Sequence, residues 1–177
     1  MKFGKLTFQP VAKHLELVAE PIKVMLAGSS LAENILVSQI DTSLADTAAF
    51  CEHYEIGPEV SANCVIVEAK RGDRVWYAAC VLLATTKADI NGIIRKQLEA
   101  RKTSFAAMDT ATTLSHMEYG GITPIGLPAD WTILVDSQVA KTEKVVIGSG
   151  IRGSKLLVPG ALLSHLPNAT TLEIIKP

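Results

Sequence analysis

The sequence predicts a mixed α/β fold in which a curved mixed sheet is flanked by helices. A chain of 177 residues is the length of one domain, and no repeat, low-complexity tract or long linker divides it. Apolar residues make up 48% and charged residues 20%, which is typical of a folded globular protein and not of a disordered one. Strand and helix patterns follow one another without strict alternation, and this order disfavours a doubly wound parallel sheet.

Composition also limits the partners and the compartment. The net charge of −1 gives no whole-molecule attraction to nucleic acid or to an anionic membrane, although it is compatible with a local basic patch. The cysteines Cys51, Cys64 and Cys80 have no spacing typical of zinc or disulfide frameworks, which favours a reducing compartment. The longest uncharged apolar run, residues 75–84, is far shorter than the ~20 residues that cross a bilayer. We therefore expect a cytoplasmic protein with no membrane contact and no DNA partner.

The N-terminal part of the chain is the least patterned. We interpret residues 1–30 as an N-terminal extension and residues 31–177 as the functional domain. A short helix over residues 14–25 is expected to break at Pro21.

The domain opens with a strand and a helix. Branched residues predict a strand at 35–40. A helix is then predicted from caps at 41–43 to a stop at Gly57-Pro58. The apolar segments 63–69 and 74–83 flank a charged turn, which favours an antiparallel hairpin.

The rest of the chain mixes helices with short strands. Asp89 is expected to cap a helix whose apolar face holds Ile90, Ile93, Ile94 and Leu98, and Asp109 to cap a short helix that ends near residue 114. Short strands separated by Gly/Pro turns are predicted at 131–136, 144–147, 155–158 and 171–175, with a small helix at 161–166.

Standard catalytic signatures are missing from the sequence. It contains no Walker loop, no G-x-G-x-x-G, no H-E-x-x-H and no G-x-S-x-G. The four histidines, His14, His53, His116 and His165, are isolated, and each is interpreted as a surface or capping residue. A Cys/His nucleophile pair stays open, because such pairs form in space and not in sequence.

Two loops and one helix have compositions that suit a ligand. Residues 120–128, here called the glycine–proline loop, hold three glycines and two prolines, which suits backbone donors at an oxyanion or simply a rigid turn. Residues 148–155, the late glycine loop, combine glycines with two cations, as a phosphate site would. The predicted helix after Asp89 is basic. Its basic side chains either face solvent or contact the phosphate backbone of a nucleic acid. Its basic residues are Arg95, Lys96, Arg101 and Lys102.

These loops carry a family resemblance. The glycine–proline loop, the strand at Ile133-Leu134-Val135-Asp136 and the run from Val146 to Gly153 resemble the YbaK/EbsC family, which is related to the editing domain of bacterial prolyl-tRNA synthetases. The resemblance is strongest from Met117 to Ile174 and stays in register from Ile35.

The resemblance implies a partly open, barrel-like sheet and hydrolysis of the ester of a mischarged aminoacyl-tRNA. The expected substrate is a small amino acid on a proline tRNA, a synthetase is a further expected partner, and no metal or organic cofactor is implied. It also implies site residues. Gly120 and Gly121 would stabilise the oxyanion through their backbone, and the expected substrate-binding residues are Ile122, Thr123, Pro124, Gly148, Gly150, Arg152, Gly153 and Ser154.

Two positions depart from the family pattern. Where editing relatives carry a lysine, the sequence has Asn63, which donates a hydrogen bond but brings no charge. Ser154 stands where some relatives place a histidine. Asn63 is therefore expected to orient the ribose or the attacking water, and a non-catalytic binding module or a regulatory accessory protein is the alternative. We expect Gly121→Val to abolish turnover with little loss of folding, and Asn63→Lys to separate a catalytic relic from a binder.

Overall fold

Segments rich in branched and small apolar residues build two principal sheets. The computed structural model describes residues 1–176 and contains eleven strands. The strands are β1 Lys2–Phe3, β2 Leu6–Thr7, β3 Gln9–Pro10, β4 Leu36–Gln39, β5 Ala62–Arg71, β6 Arg74–Leu83, β7 Lys102–Phe105, β8 Thr132–Asp136, β9 Val145–Gly148, β10 Ser154–Val158 and β11 Ala169–Leu172.

Within the same described residues, six short α-helices and several tighter turns connect the strands. The helices are α1 Glu20–Leu26, α2 Thr47–Tyr54, α3 Arg95–Gln97, α4 Met108–Ser115, α5 Ser137–Lys141 and α6 Gly160–Leu163. A π-helical turn at Ile90–Ile94 leads directly into α3, and Asp89 caps it by accepting hydrogen bonds from two backbone N–H groups. Among residues 1–176, none of the helices is long and apolar enough to span a bilayer.

The sheet topology confirms the predicted mixed α/β class. Five strands follow the order β11-β8-β6-β5-β7, with β5 and β6 as the predicted antiparallel hairpin and β8 parallel to β6. Four strands follow the order β3-β4-β10-β9. A parallel bridge between Ser61 and Val146 joins the two sheets. The curved surface that results does not close into a barrel within the described residues.

Strand β5 places its side chains on two different cores. Because side chains alternate along a strand, Ile66 packs into the large core between the sheets, whereas Val67 and Ala69 pack against the helical segment after Asp89. Residues 1–30 contribute to the large core through Val11 and Ile22, which are fully buried.

Several predicted boundaries differ from the structure. Pro21 lies in the first turn of α1, which begins at Glu20, and the helix does not break there because the first turn leaves the N–H that proline lacks unpaired in any case. Helix α2 begins only at Thr47, since Asp41 caps a separate short turn. Ala107 and not Asp109 is the N-cap of α4. Strand β7 and helix α5 were not predicted.

Candidate functional site

A small cavity opens beside the exposed edge of β5. Strand β9 contacts this edge through the bridge at Ser61, and β7 pairs with it only from Val67 onward. The first residues of β5 therefore have no strand partner on this edge among the described residues, and a cavity of about 300 Å³ lies beside them. It is lined by Ala45, Asp46, Thr47, Ala62, Asn63, Cys64, Val65, Tyr119, Gly120, Ile122, Gly148 and Lys155.

A buried lysine supplies the charge in this small cavity. Lys155 lies on β10, the inner strand between β4 and β9, and only 7% of the residue is exposed. Its Nζ donates to the carbonyl oxygens of Ala45 at 2.9 Å and Gly120 at 3.5 Å, and it lies 5.4 Å from the centre of the Phe50 ring. No carboxylate of residues 1–176 lies within salt-bridge distance of Lys155.

Burial makes this ammonium sensitive to its surroundings. Desolvation, helped by the charge of Arg152, lowers the pKa of Lys155 from 10.5 to about 8, while Asp46 opposes the shift. Lys155 is therefore still mostly protonated at neutral pH. Burying a cation whose hydrogen-bond partners are carbonyl groups lowers the stability of the folded protein. Buried charged groups with strongly shifted pKa values cluster at functional sites.

Asn63 is fixed in orientation by a neighbouring hydroxyl. Thr47, at the start of α2, donates from Oγ1 to Asn63 Oδ1 at 2.7 Å. In this orientation of the Asn63 carboxamide, Oδ1 accepts the hydrogen bond from Thr47, and the NH₂ group remains available to donate to a ligand. The cavity thus has a neutral donor at Asn63 and a charged donor at Lys155.

The glycine–proline loop contributes a carbonyl oxygen to the cavity. Gly120 has φ +79°, where a side chain is strained, and a Cβ there would lie 2.6 Å from Arg152 Nη1. Its carbonyl oxygen points to Lys155. The N–H of Gly121 donates to the Glu118 carbonyl at 2.9 Å. The expected oxyanion donor at Gly121 is therefore already used within the turn.

The same loop is locked to the late glycine loop. Gly150 N–H donates to the Gly121 carbonyl at 2.7 Å, and Glu118 N–H donates to the Gly150 carbonyl at 2.8 Å. A Cβ on Gly121 would lie 2.7 Å from the backbone carbonyl of Ile151. The expectation that Gly121→Val leaves folding intact is wrong, because a side chain has no room between the two backbones.

Arg152 holds the rim of the small cavity. Its Nη1 donates to the Tyr119 carbonyl at 3.1 Å, and its Nε donates to the Thr42 carbonyl at 3.3 Å. Asp46 lies 3.8 Å from Nη1. The guanidinium therefore ties the glycine–proline loop to the segment before α2, which makes it a positioning group for Gly120.

The structure disfavours a cysteine nucleophile in this cavity. Burial strongly raises the pKa of the Cys64 thiol, which keeps it neutral and unreactive. None of the histidines is among the described residues that line the cavity. No cluster of three or more metal-binding side chains occurs within residues 1–176.

The other predicted site residues divide into distinct environments. Ile122 and Gly148 line the small cavity, whereas Thr123 is fully buried and does not line it. Pro124 faces a separate apolar cleft beside α1. The Ser154 hydroxyl contacts the Leu17 carbonyl and Ser149 inside the protein.

Two predicted glycines support the loops from outside the small cavity. Gly150 has φ +82° and packs against Ala19, and the carbonyl of Gly153 accepts from Ile40 N–H at 2.9 Å.

The predicted basic residues lie away from the small cavity. Arg95 donates to the Asn91 carbonyl in its own helical turn, and Lys102 pairs in register with Lys70 at the far end of β5. None of the four basic residues, Arg95, Lys96, Arg101 and Lys102, is among the described residues that line it.

Lys155, Thr47 and Asp46 are the site residues that sequence reasoning missed. The only signal for Lys155 was its place among the cations of the late glycine loop, where it suggested a phosphate contact. Its burial depends on α2 and on the glycine–proline loop, which are distant in sequence. Spacing alone therefore could not place Lys155 beside Asn63.

The fold is similar to several solved structures. A candidate trans-editing enzyme for prolyl-tRNA synthetase is 12% identical with a TM-score of 0.75, over 97% of this chain and 100% of that one. A hypothetical protein is 16% identical with a TM-score of 0.77, over 89% and 100%. A scaffold from computational epitope grafting is 12% identical with a TM-score of 0.76, over 90% and 97%. At these identities the likeness concerns the fold alone.

The family comparison is more specific. No curated protein is similar enough to the chain to count as a match. The model of the aminoacyl-tRNA editing domain matches residues 41–166, which is more than half of the chain and contains every residue lining the small cavity. The chain therefore belongs to the aminoacyl-tRNA editing domain family.

Proposed function

We propose that the protein is an aminoacyl-tRNA deacylase that hydrolyses the ester of a mischarged tRNA. It would act in trans in the cytoplasm beside prolyl-tRNA synthetase, on a small amino acid attached to a proline tRNA. Residues 31–177 would carry the activity, with residues 1–30 as a packed extension. The observation that carries the proposal is the buried ammonium of Lys155 in a cavity of this family's domain.

The size and walls of the small cavity support a small aminoacyl group. Its volume of about 300 Å³ is at the lower end of the roughly 300–1,000 Å³ typical of ligand pockets. Its apolar walls come from Ala62, Val65 and Ile122. These side chains leave space for a small side chain such as that of alanine, cysteine or serine.

In the proposed reaction, a water molecule adds to the carbonyl carbon of the ester. The carbonyl oxygen becomes an oxyanion, which Lys155 stabilises with its ammonium group and Asn63 with its amide N–H. The tetrahedral intermediate then breaks the bond to the ribose oxygen. The proton from the water passes to that oxygen through the neighbouring ribose hydroxyl, so the products are the free amino acid and the uncharged tRNA.

Asp46 is proposed to recognise the amino group of the substrate. It is the one carboxylate among the described residues that line the cavity. The aminoacyl ester carries an α-ammonium group, for which a carboxylate and the Gly120 carbonyl are suitable acceptors. Charge recognition at Asp46 would complement oxyanion stabilisation at Lys155, since each meets the opposite charge of the substrate.

The test is deacylation of proline tRNA charged with alanine, cysteine or serine. We expect release of at least one of these amino acids well above the spontaneous rate, with Asp46→Asn raising KM more than it lowers kcat. Proline tRNA charged with proline is the reference for specificity. Failure of the folded protein to release any of the three would overturn the proposal and favour a binding module.

A further inference from the structure

We infer that a second groove, next to the small cavity, binds the terminal nucleotides of the tRNA 3′ end. This inference rests on the proposed function, because it assigns the RNA part of the same substrate. The groove has a volume of about 400 Å³. It is lined by Asn63, Val65, Leu82, Thr86, Lys87, Ala88, Asp89, Ile90, Asn91, Phe105 and Lys176, and is here called the Phe105 groove.

The Phe105 groove and the small cavity share a wall. Asn63 and Val65 line both of them. In the substrate, the amino acid is joined directly to the ribose of the last nucleotide. An aminoacyl group in the small cavity would therefore place that nucleotide across Asn63, and the Phe105 groove is the space that adjoins it there.

Phe105 offers an exposed aromatic surface in this groove. It is the last residue of β7, an edge strand, where it stands opposite Val67 of β5. The residue is 62% exposed, although a phenylalanine gains free energy from burial. An exposed ring in a groove that also carries lysines suits stacking of a nucleic-acid base, because every base has an aromatic face.

The charges around the Phe105 groove favour a polyanion. Lys87 and Lys176 supply two cations, and the Lys176 N–H donates to the Lys87 carbonyl at 2.9 Å, which holds the two segments together. The one acidic residue among the described lining residues is Asp89. Its carboxylate already accepts from the N–H groups of Gly92 and Ile93. The two lysines outnumber this one carboxylate, so the charged side chains of the groove have a net charge of +1, which favours a phosphate.

Polar groups in the same groove suit the edge of a base. The Asn91 carboxamide offers both donors and an acceptor. Stacking, phosphate contacts and base-edge contacts then come from different residues of one groove. This combination favours RNA over an apolar peptide, which would leave the lysines and Asn91 without partners.

Binding of a short RNA tests the inference directly. The probe is a fluorescein-labelled trinucleotide, cytidine–cytidine–adenosine, titrated by anisotropy at fixed low salt. We expect Phe105→Leu, which keeps an apolar side chain, to weaken binding about fivefold or more, whereas Phe105→Tyr, which keeps the ring, binds like the wild type. Lys87→Ala should weaken binding and reduce its salt dependence. Val75→Ala removes an exposed apolar side chain from the distant β5–β6 hairpin and is the matched control.

The outcomes separate this inference from the proposed function. Ester hydrolysis is measured on the same variants. RNA binding that depends on the Phe105 ring, without hydrolysis of any ester, supports the groove and overturns the deacylase. Hydrolysis with unchanged KM and unchanged RNA binding in Phe105→Leu overturns the groove and leaves the deacylase standing. Absence of trinucleotide binding by the wild type also overturns the groove.

Discussion

The ammonium of Lys155 lies 3.5 Å from the carbonyl oxygen of Gly120, although the two residues are 35 positions apart in the chain. This contact joins the inner strand β10 to the glycine–proline loop. The contact places the positive charge of Lys155 at the position where the glycine–proline loop was expected to offer backbone N–H donors. The chemistry proposed for this cavity therefore depends on a side chain, and the glycine loop serves to position it.

Replacing Lys155 by methionine should leave stability at or above that of the wild type. Methionine has a similar length and no charge to desolvate. The pKa of Lys155, about 8 against an ordinary 10.5, corresponds to an unfavourable burial of about 3 kcal/mol at neutral pH. Loss of the hydrogen bond to Ala45 offsets about 1 kcal/mol of this gain. Urea denaturation measures the difference, with exposed Lys141→Met as control.

The same shift fixes the sign of the pH dependence of stability. The folded protein releases the Lys155 proton near pH 8, whereas the unfolded chain keeps it up to pH 10.5. The unfolded state therefore binds more protons between these values, so the wild type gains stability relative to Lys155→Met as the pH rises. If the wild type instead gained stability relative to Lys155→Met as the pH falls, a neighbouring group would have to stabilise the charged form of Lys155.

Deacylation should decline as the pH rises through about 8. The proposed oxyanion contact requires the protonated form of Lys155, whose pKa is lowered to about 8 by burial. Values of kcat/KM from pH 6 to 9.5, corrected for spontaneous hydrolysis of the ester, measure this decline. A rate that still rises above pH 9 would indicate that a deprotonated group and not the ammonium is required.

Asn63→Lys should lower activity. The small cavity already holds Lys155, and a second ammonium would repel it and lose the hydrogen bond from Thr47. We expect kcat/KM to fall about tenfold or more, by analogy with the loss of one oriented hydrogen-bonding group. Thr47→Val, which replaces the hydroxyl by a methyl group of similar size, should give a smaller loss. Increased turnover in Asn63→Lys would show that the family lysine position is still the productive one.

Arg152→Lys should impair activity nearly as much as Arg152→Met. The guanidinium contacts the carbonyls of Tyr119 and Thr42 at the same time, and a lysine does not reproduce this fork. We expect a loss of about 1 kcal/mol of stability together with lower kcat. Full activity in Arg152→Lys would instead indicate that only the charge at this position matters, as for a phosphate contact.

Gly121→Ala should destabilise the protein by several kcal/mol. The added Cβ would lie 2.7 Å from the Ile151 carbonyl group, which is backbone and cannot turn aside. Gly153→Ala is the matched control, because neither glycine has a left-handed φ and a Cβ on Gly153 would lie 3.7 Å from Thr42 Cγ2, an ordinary van der Waals contact. Similar melting temperatures for Gly121→Ala and the wild type would contradict the packing described for the two loops.

Local sequence patterns predicted those helices and strands that are determined by their own residues and not by distant partners. The β5–β6 hairpin was visible because two apolar segments flank a charged turn, and Asp89 was visible as a cap before an apolar helical face. Strand β7 was not visible. Its sequence Lys-Thr-Ser-Phe has no strong strand pattern, and it is extended because β5 offers it a partner.

The candidate site was only half predictable for a related reason. Asn63 and Gly120 stand in recognisable contexts, and the structure brings both to the small cavity. Ser154 and Lys155 are neighbours in sequence, but side chains alternate along β10, so the Ser154 hydroxyl contacts Ser149 and Lys155 faces the cavity. The sequence did not show which of the two faces the cavity, because that depends on the register of β10 against β4 and β9.

The most direct test of the account is single-turnover deacylation of alanine-charged proline tRNA at pH 7 by the wild type, Lys155→Met and Lys141→Met. We predict that Lys155→Met loses about 10²–10³ in rate, the usual effect of removing an oxyanion donor, while remaining folded. Lys141→Met should match the wild type. A folded Lys155→Met protein that hydrolyses the ester at the wild-type rate would contradict the central role of Lys155.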